Sequence, residues 1–199
     1  MRKAIVLALA AIALAGCALG SQGPQADSYD LGPVPARPAT AGATRPVLMV
    51  PEVAAPAWLD GQGIVYRLSY ENDSRPQAYA NSRWVAPPAS LLTQRLRGRF
   101  AANTGVVSGV DGTRADYVLR VDLEDFSQSF TSASASNVAL RARASLVRLP
   151  DRVLVAQRAF SVERAAPTAD ARGAVTALGA ASSEMIESLA DWVGQQVRK

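Results

Sequence analysis

The residue in this chain best placed to do chemistry is Cys17, the only cysteine among 199 residues. A thiol without a second cysteine cannot close an internal disulfide, so it is either a free nucleophile or a site of modification. Histidine is absent altogether, which removes the commonest general base and the commonest metal ligand together. Asp122, Glu124 and Asp125 form a small acidic cluster. Two carboxylates at that spacing could share acid–base work or hold a cation, but Asp122 and Glu124 fall on alternate positions of an expected strand. The polar face of such a strand already accounts for them, so they make an unconvincing catalytic pair. No Gly-rich phosphate loop and no spaced set of metal ligands stands out. The expectation is a chain with no catalytic residue, no metal and no cofactor, acting by binding. Enzymes that lack histidine exist, so these absences lower the odds of catalysis without excluding it.

The surroundings of Cys17 give its chemistry a direction. Arg2 and Lys3 precede twelve apolar residues, Ala4 to Ala15, and Gly16 follows. A charged start, a short apolar run and small residues at the break form an export signal. The run is too short to cross a bilayer, which needs about 20 apolar residues. Leu14-Ala15-Gly16-Cys17 resembles the lipobox of bacterial lipoproteins. The resemblance implies signal cleavage after Gly16, a diacylglyceryl thioether on Cys17 and acylation of the new amino terminus. The alternative is a buried or free cysteine that happens to follow a signal. One acyl chain anchors reversibly and two or more anchor stably, each buried methylene adding about 0.8 kcal/mol.

Charge and composition narrow the classes further. The 21 Lys and Arg against 17 Asp and Glu give +4 overall. Removing Arg2 and Lys3 with the signal leaves +2. Arginine supplies nearly all the positive charge, and no basic run with interleaved aromatics appears, so nucleic acid is not an expected partner. Hydrophobic residues make up 49% of the chain, enough for one core. The expected organisation is a signal peptide over 1–16, a Pro/Gly/Ala-rich lipidated tether over 17–43, and a single domain over 44–199. Pro24, Pro33, Pro35 and Pro38 bias the tether to extended forms. Tyr29-Asp30-Leu31 interrupts it, either docking on the domain or standing as a stray apolar pair.

Within the domain, period-two patterns predict strands and 3.6-period stripes predict helices. Pro46–Val53 reads as a short buried strand, Ile64–Tyr70 as a half-buried one, and Gln77–Val85 as its hairpin partner. Pro87-Pro88 opens a helix running to Asn103, with Leu91, Leu92, Leu96 and Phe100 on one face. Arg95, Arg97 and Arg99 cover the rest and are expected to form a solvated surface. Asp116–Phe126 is a strand in which Phe126 falls out of phase, the mark of a bulge or a strand end. Ser127–Asn137 is a serine-rich loop or an extension of the strands beside it. Val138–Leu146, a turn at Leu149–Arg152, and Val153–Glu163 complete a three-stranded antiparallel meander. Thr168 or Asp170 caps a last helix to Val197, whose stripe is Val175, Leu178, Met185, Leu189 and Trp192, joined by Ile186 and Val193, with Ser182 filling a gap. The fold class is α+β: an antiparallel or mixed sheet covered by two amphipathic helices, preceded by the lipidated flexible tether.

In that order and spacing the chain resembles the ABC-type transport auxiliary lipoprotein family. The resemblance is carried by Cys17 in its box, Tyr29-Asp30-Leu31, Gly63-Ile64-Val65-Tyr66-Arg67, Arg83-Trp84 with Pro87, Leu91-Leu92 and Leu96, the strand Tyr117–Phe126, and the closing Asp191-Trp192-Val193. It implies a non-catalytic, periplasm-facing lipoprotein of an MCE-type lipid transport system. Its anchor would sit in the outer membrane, its partner would be the periplasmic MCE-domain protein, and copies would assemble into a homo-oligomeric ring. Ala18, the second residue of the mature chain, is not the aspartate that retains enteric lipoproteins in the inner membrane. A lipoprotein of a secretion or export ring with a related small α+β domain is the other reading. Candidate contact surfaces are Ser127–Asn137 and the arginines at Arg95–Arg99 and Arg141–Arg143, with solvated surface as the alternative for each.

Cys17→Ala is expected to abolish lipid attachment and leave the precursor uncleaved. Metabolic labelling with a fatty-acid analogue checks this, and label persisting on the variant would refute the anchor assignment.

Overall fold

The computed structural model describes residues 26–33, 46–101, 105–108 and 112–197. The expected signal over 1–16, with Gly16, and the expected lipidation site Cys17 lie outside the described residues. Among the described residues the strands and α-helices follow in the order β1 (Asp27–Tyr29), β2 (Val47–Met49), β3 (Gly63–Leu68), β4 (Gln77–Trp84), α1 (Pro88–Ala101), β5 (Gly105–Val107), β6 (Tyr117–Ser132), β7 (Ala135–Arg148), β8 (Val153–Ala165) and α2 (Ala171–Gln196), with a 3-10 turn at Ala57–Leu59 between β2 and β3. The eight strands form one mixed sheet under the helices, within the expected α+β class.

The sheet is built on β6. One of its edges is taken along its length by β7, antiparallel, and β8 then pairs with β7. This is the expected meander. The other edge is shared. Leu48 and Met49 of β2 lie beside Tyr117 and Val118, and Tyr66–Leu68 of β3 lie beside Gln128–Phe130, both parallel to β6. Between them Ala54 bridges Asp122, accepting from Leu123 N–H at 2.7 Å and donating to Val121 C=O at 3.0 Å. β4 returns antiparallel to β3, and β1 adds a parallel edge beyond it.

The out-of-phase Phe126 has a clear cause. Leu123 faces Ala142 but Asp125 faces Arg141, so Glu124 is an extra residue in β6. Without that bulge, Phe126 would point away from the helices. With it, Phe126 faces Leu140 and packs against Trp84, ring centroids 5.6 Å apart. The serine-rich stretch is the strand extension of the two readings: β6 runs to Ser132 and β7 restarts at Ala135. It is not wholly exposed, because Ser127, Gln128 and Ser136 are buried.

α2 covers one face of β6, β7 and β8. Asp170 is its cap, accepting from Gly173 N–H at 2.7 Å and from the Thr168 hydroxyl at 2.7 Å. The same hydrogen bonds hold the Asp170 carboxyl below the usual carboxylate range. Gly173 is required there, since a Cβ would stand 2.0 Å from the Thr168 carbonyl oxygen. Leu178, Met185, Ile186, Leu189, Trp192 and Val193 are buried, as is Ser182, whose hydroxyl bonds back to Leu178 C=O. Val175 departs from the expected stripe and is only half-buried. α1 contributes Leu91, Leu92, Leu96 and Phe100 to the same core.

Leu189→Ala and Trp192→Ala should each cost about 2–5 kcal/mol, because Leu189 is fully enclosed and Trp192 meets Phe160 edge-on at 5.8 Å. Urea unfolding measures both. A shift within error would place that stripe outside the core.

Candidate functional site

The arginines of α1 turn inward. Arg95 is 8% exposed, against the expectation of a solvated face. Its Nη2 donates to the carbonyl oxygens of Leu31 and Gly32, the latter at 2.6 Å, and its Nη1 donates to Ser183 Oγ at 3.2 Å. Burial lowers the guanidinium pKa and the nearby Asp30 carboxylate partly offsets this; arginine stays charged regardless. Arg97 Nε donates to Val50 C=O at 2.9 Å. Arg99 Nε donates to both Glu187 carboxylate oxygens, at 2.9 and 3.0 Å, joining α1 to α2. A buried cation with unused donors is costly, while charge-assisted bonds to carbonyls and carboxylates are strong. These side chains are therefore fasteners, and the surface Arg95–Arg99 is withdrawn as a contact candidate.

What Arg95 fastens is the segment Tyr29–Gly32. β1 pairs with the edge of β4, Tyr29 beside Trp84, and Val85 N–H donates to Tyr29 C=O at 2.8 Å. Leu31 is buried among core side chains at 6% exposure. The chain then turns at Gly32, whose φ of +83° suits glycine and whose N–H donates to Asp30 Oδ1 at 2.7 Å. Across from it, a Cβ at Gly179 would lie 2.8 Å from the Leu31 carbonyl oxygen. Of the two readings of Tyr29-Asp30-Leu31, the docked one is found. A cleft of about 500 Å³ opens beside the strap, lined in part by Tyr29, Asp30, Val85, Val175 and Thr176.

The sheet face opposite the helices carries the remaining candidates. Arg120, Asp122, Glu124, Arg141, Arg143 and Glu163 are all exposed. Arg143 pairs with Glu124 at 3.1 Å and Arg141 with Glu163 at 2.8 Å, exposed pairs worth about 0–1 kcal/mol each. Asp125 accepts from Ser127 Oγ at 2.7 Å. Glu124 and Asp125 are thus engaged by neighbours, and among the described residues no three Asp, Glu, His or Cys side chains gather where they could hold a metal ion. Ser127–Asn137 contains a buried polar knot. Gln128, with no exposure, accepts from Tyr79 OH at 2.8 Å and donates to Ser136 Oγ at 2.7 Å. Composition alone did not separate Gln128 from its exposed neighbours, whereas the small residues around Gly179 were a visible signal for close packing.

The family model for the ABC-type transport auxiliary lipoprotein component matches residues 29–190. The chain belongs to the ABC-type transport auxiliary lipoprotein family. The match begins at the strap, so the docked segment is inside the family domain. Among solved structures, protein XCC0632 from Xanthomonas campestris aligns at 23% identity over 87% of this auxiliary lipoprotein and 97% of that chain, with a TM-score of 0.70. An uncharacterized protein aligns at 19% identity over 85% and 99%, with a TM-score of 0.64. A PelC dodecamer from Paraburkholderia phytofirmans aligns more loosely, at 11% identity over 75% and 89%, with a TM-score of 0.44. No curated protein matches the chain. Among the described residues of the auxiliary lipoprotein, no helix is long and apolar enough to cross a membrane.

Tyr79→Phe should cost about 1–3 kcal/mol by leaving the buried Gln128 oxygen without its donor. Burial, with Asp170 and Tyr66 nearby, pushes the Tyr79 phenol up to about 12. Its neutral form is the one the fold favours, so its contribution is complete below the ordinary tyrosine value near 10 and is lost as pH rises toward 12. Spectrophotometric titration should show the last phenol step missing in the variant, and an unchanged titration would refute the assignment.

Proposed function

We propose that the mature protein is a non-catalytic component of an MCE-type ABC lipid transport system. It is held at the periplasmic face of the outer membrane by a lipidated Cys17 and docks the periplasmic MCE-domain protein. The family match over residues 29–190 carries this reading, together with the Leu14–Cys17 box and Ala18 at the second mature position. The shape of the domain agrees with a role in binding. Its open sheet face displays exposed charges of both signs, and the chain offers no histidine.

Copies of the domain form a ring around the MCE protein. Lipid anchors keep local concentration high, so weak identical contacts add through avidity. The open sheet face around Arg141–Arg143 and the tip of the β6–β7 hairpin are the surfaces left for these contacts once Arg95–Arg99 is accounted for.

Isolation of the tagged full-length lipoprotein from membranes in mild detergent, after crosslinking, tests the reading. The expected result is recovery of the MCE protein with its permease and ATPase, and a lipoprotein mass that is a multiple of one chain. A monomer recovered with polysaccharide-export components and no MCE protein would contradict it.

A further inference from the structure

The strap has a mechanical consequence. Cys17 lies ten residues before Asp27, the start of β1, and thirty before Val47, the start of β2. A fully extended chain covers at most about 3.5 Å per residue. With the strap docked, the longest possible span from Cys17 to the domain is therefore about 35 Å; with it released, the span is about 105 Å. Resting on the reading of Cys17 as the lipid anchor, we propose that Tyr29–Gly32 is a clasp that fixes the stand-off between the domain and the membrane.

Four independent features hold the clasp. β1 extends the sheet beyond β4 with Tyr29 beside Trp84. Leu31 fills a place in the core. Arg95 binds two successive carbonyls of the strap through one nitrogen, and its other nitrogen is held by Ser183 of α2. Gly179 supplies the space in α2 that lets the Leu31 carbonyl approach. A carbonyl clamp recognises backbone and not a particular side chain, so the grip acts on the tether as a chain under tension. The side chain of Leu31 sets the register of that grip. The anchor therefore pulls on the sheet edge at β1, near the α1–α2 contact, and not on the short β2. A domain held this close keeps the same edge toward the bilayer. Released, it would range over a threefold longer tether.

The test uses the full-length acylated protein in vesicles of phosphatidylethanolamine and phosphatidylglycerol with an acceptor-labelled lipid. The donor is placed at Ser161→Cys, an exposed position on β8, with Cys17 blocked by its own lipid. Arg95→Ala removes the clamp. Gly179→Ala puts a methyl group against the Leu31 carbonyl while favouring the helix itself, so it spares the fold if Arg95→Ala does not. Hydrogen exchange at the Val85 amide reports whether the strap is docked. Both variants should lose Val85 protection and about half of the energy transfer, following the longer root-mean-square span of the freed tether. Released strands with unchanged transfer would overturn the stand-off role. Full Val85 protection in both variants would overturn the clasp. If the wild type carries no lipid on Cys17 and does not join the vesicles, the anchor reading falls and the stand-off role falls with it. Val85 protection then still shows whether the strap docks, so the two failures are told apart.

Discussion

A guanidinium taken out of water must find acceptors for its protons, and in this molecule that requirement ties three separate parts of the chain together. Arg95 belongs to α1, Leu31 and Gly32 to the strap, and Ser183 to α2. Removing Arg95 leaves the buried Leu31 carbonyl unmet, and removing its acceptors leaves a buried charge unmet, a cost of several kcal/mol. The same logic repeats along the helix. Arg97 reaches Val50 after β2, and Arg99 reaches Glu187 on α2. The arginines of α1 thus work as hooks, Arg95 and Arg97 holding chain beside strands only three residues long and Arg99 holding α2. Short strands such as β1 and β2 cannot hold themselves by ladder bonds alone. The hooks explain how they persist.

The second constraint is the use of both edges of β6. A strand of 16 residues is long enough for β2 and β3 to share one side while β7 takes the other. The bulge at Glu124 lies between the stretches used by β2 and β3, and it turns Phe126 inward to meet Trp84. α2 then closes one face, leaving the other as a polar surface on which Arg141–Glu163 and Arg143–Glu124 pair. Such a one-sided sheet presents area and not depth.

Much of this was legible in the sequence, and the exceptions have physical reasons. The meander over β6–β8, the hairpin of β3 and β4, and the stripe of α2 follow from periodicity, because each is a local pattern with one buried face. The displaced phase of Phe126 left a bulge or a strand end open, and the register shift between Leu123 and Asp125 decides for the bulge. Parallel pairing of β2 and β3 with β6 was not legible, since nothing in a short apolar run says which distant strand it joins. Arg95 was misread because periodicity ranks arginine by its charge, while its acceptors lie 63 and 64 residues earlier on a different segment. Gln128 and Ser136 hid for the same reason: polar residues enter a core when they satisfy one another, and that partnership is visible only in three dimensions. Cys17 stands apart, its role read from sequence and lying outside the described residues.

The strap Tyr29–Gly32 is part of the domain, held by the β4 edge, the core and Arg95. Spin labels at Ser28→Cys and Ala180→Cys, both exposed and both on the cleft beside the strap, test it in the membrane-anchored protein. A docked strap predicts one short distance with a narrow distribution, unchanged when the protein moves from detergent to membrane. A broad distribution reaching far beyond the width of the domain would contradict it.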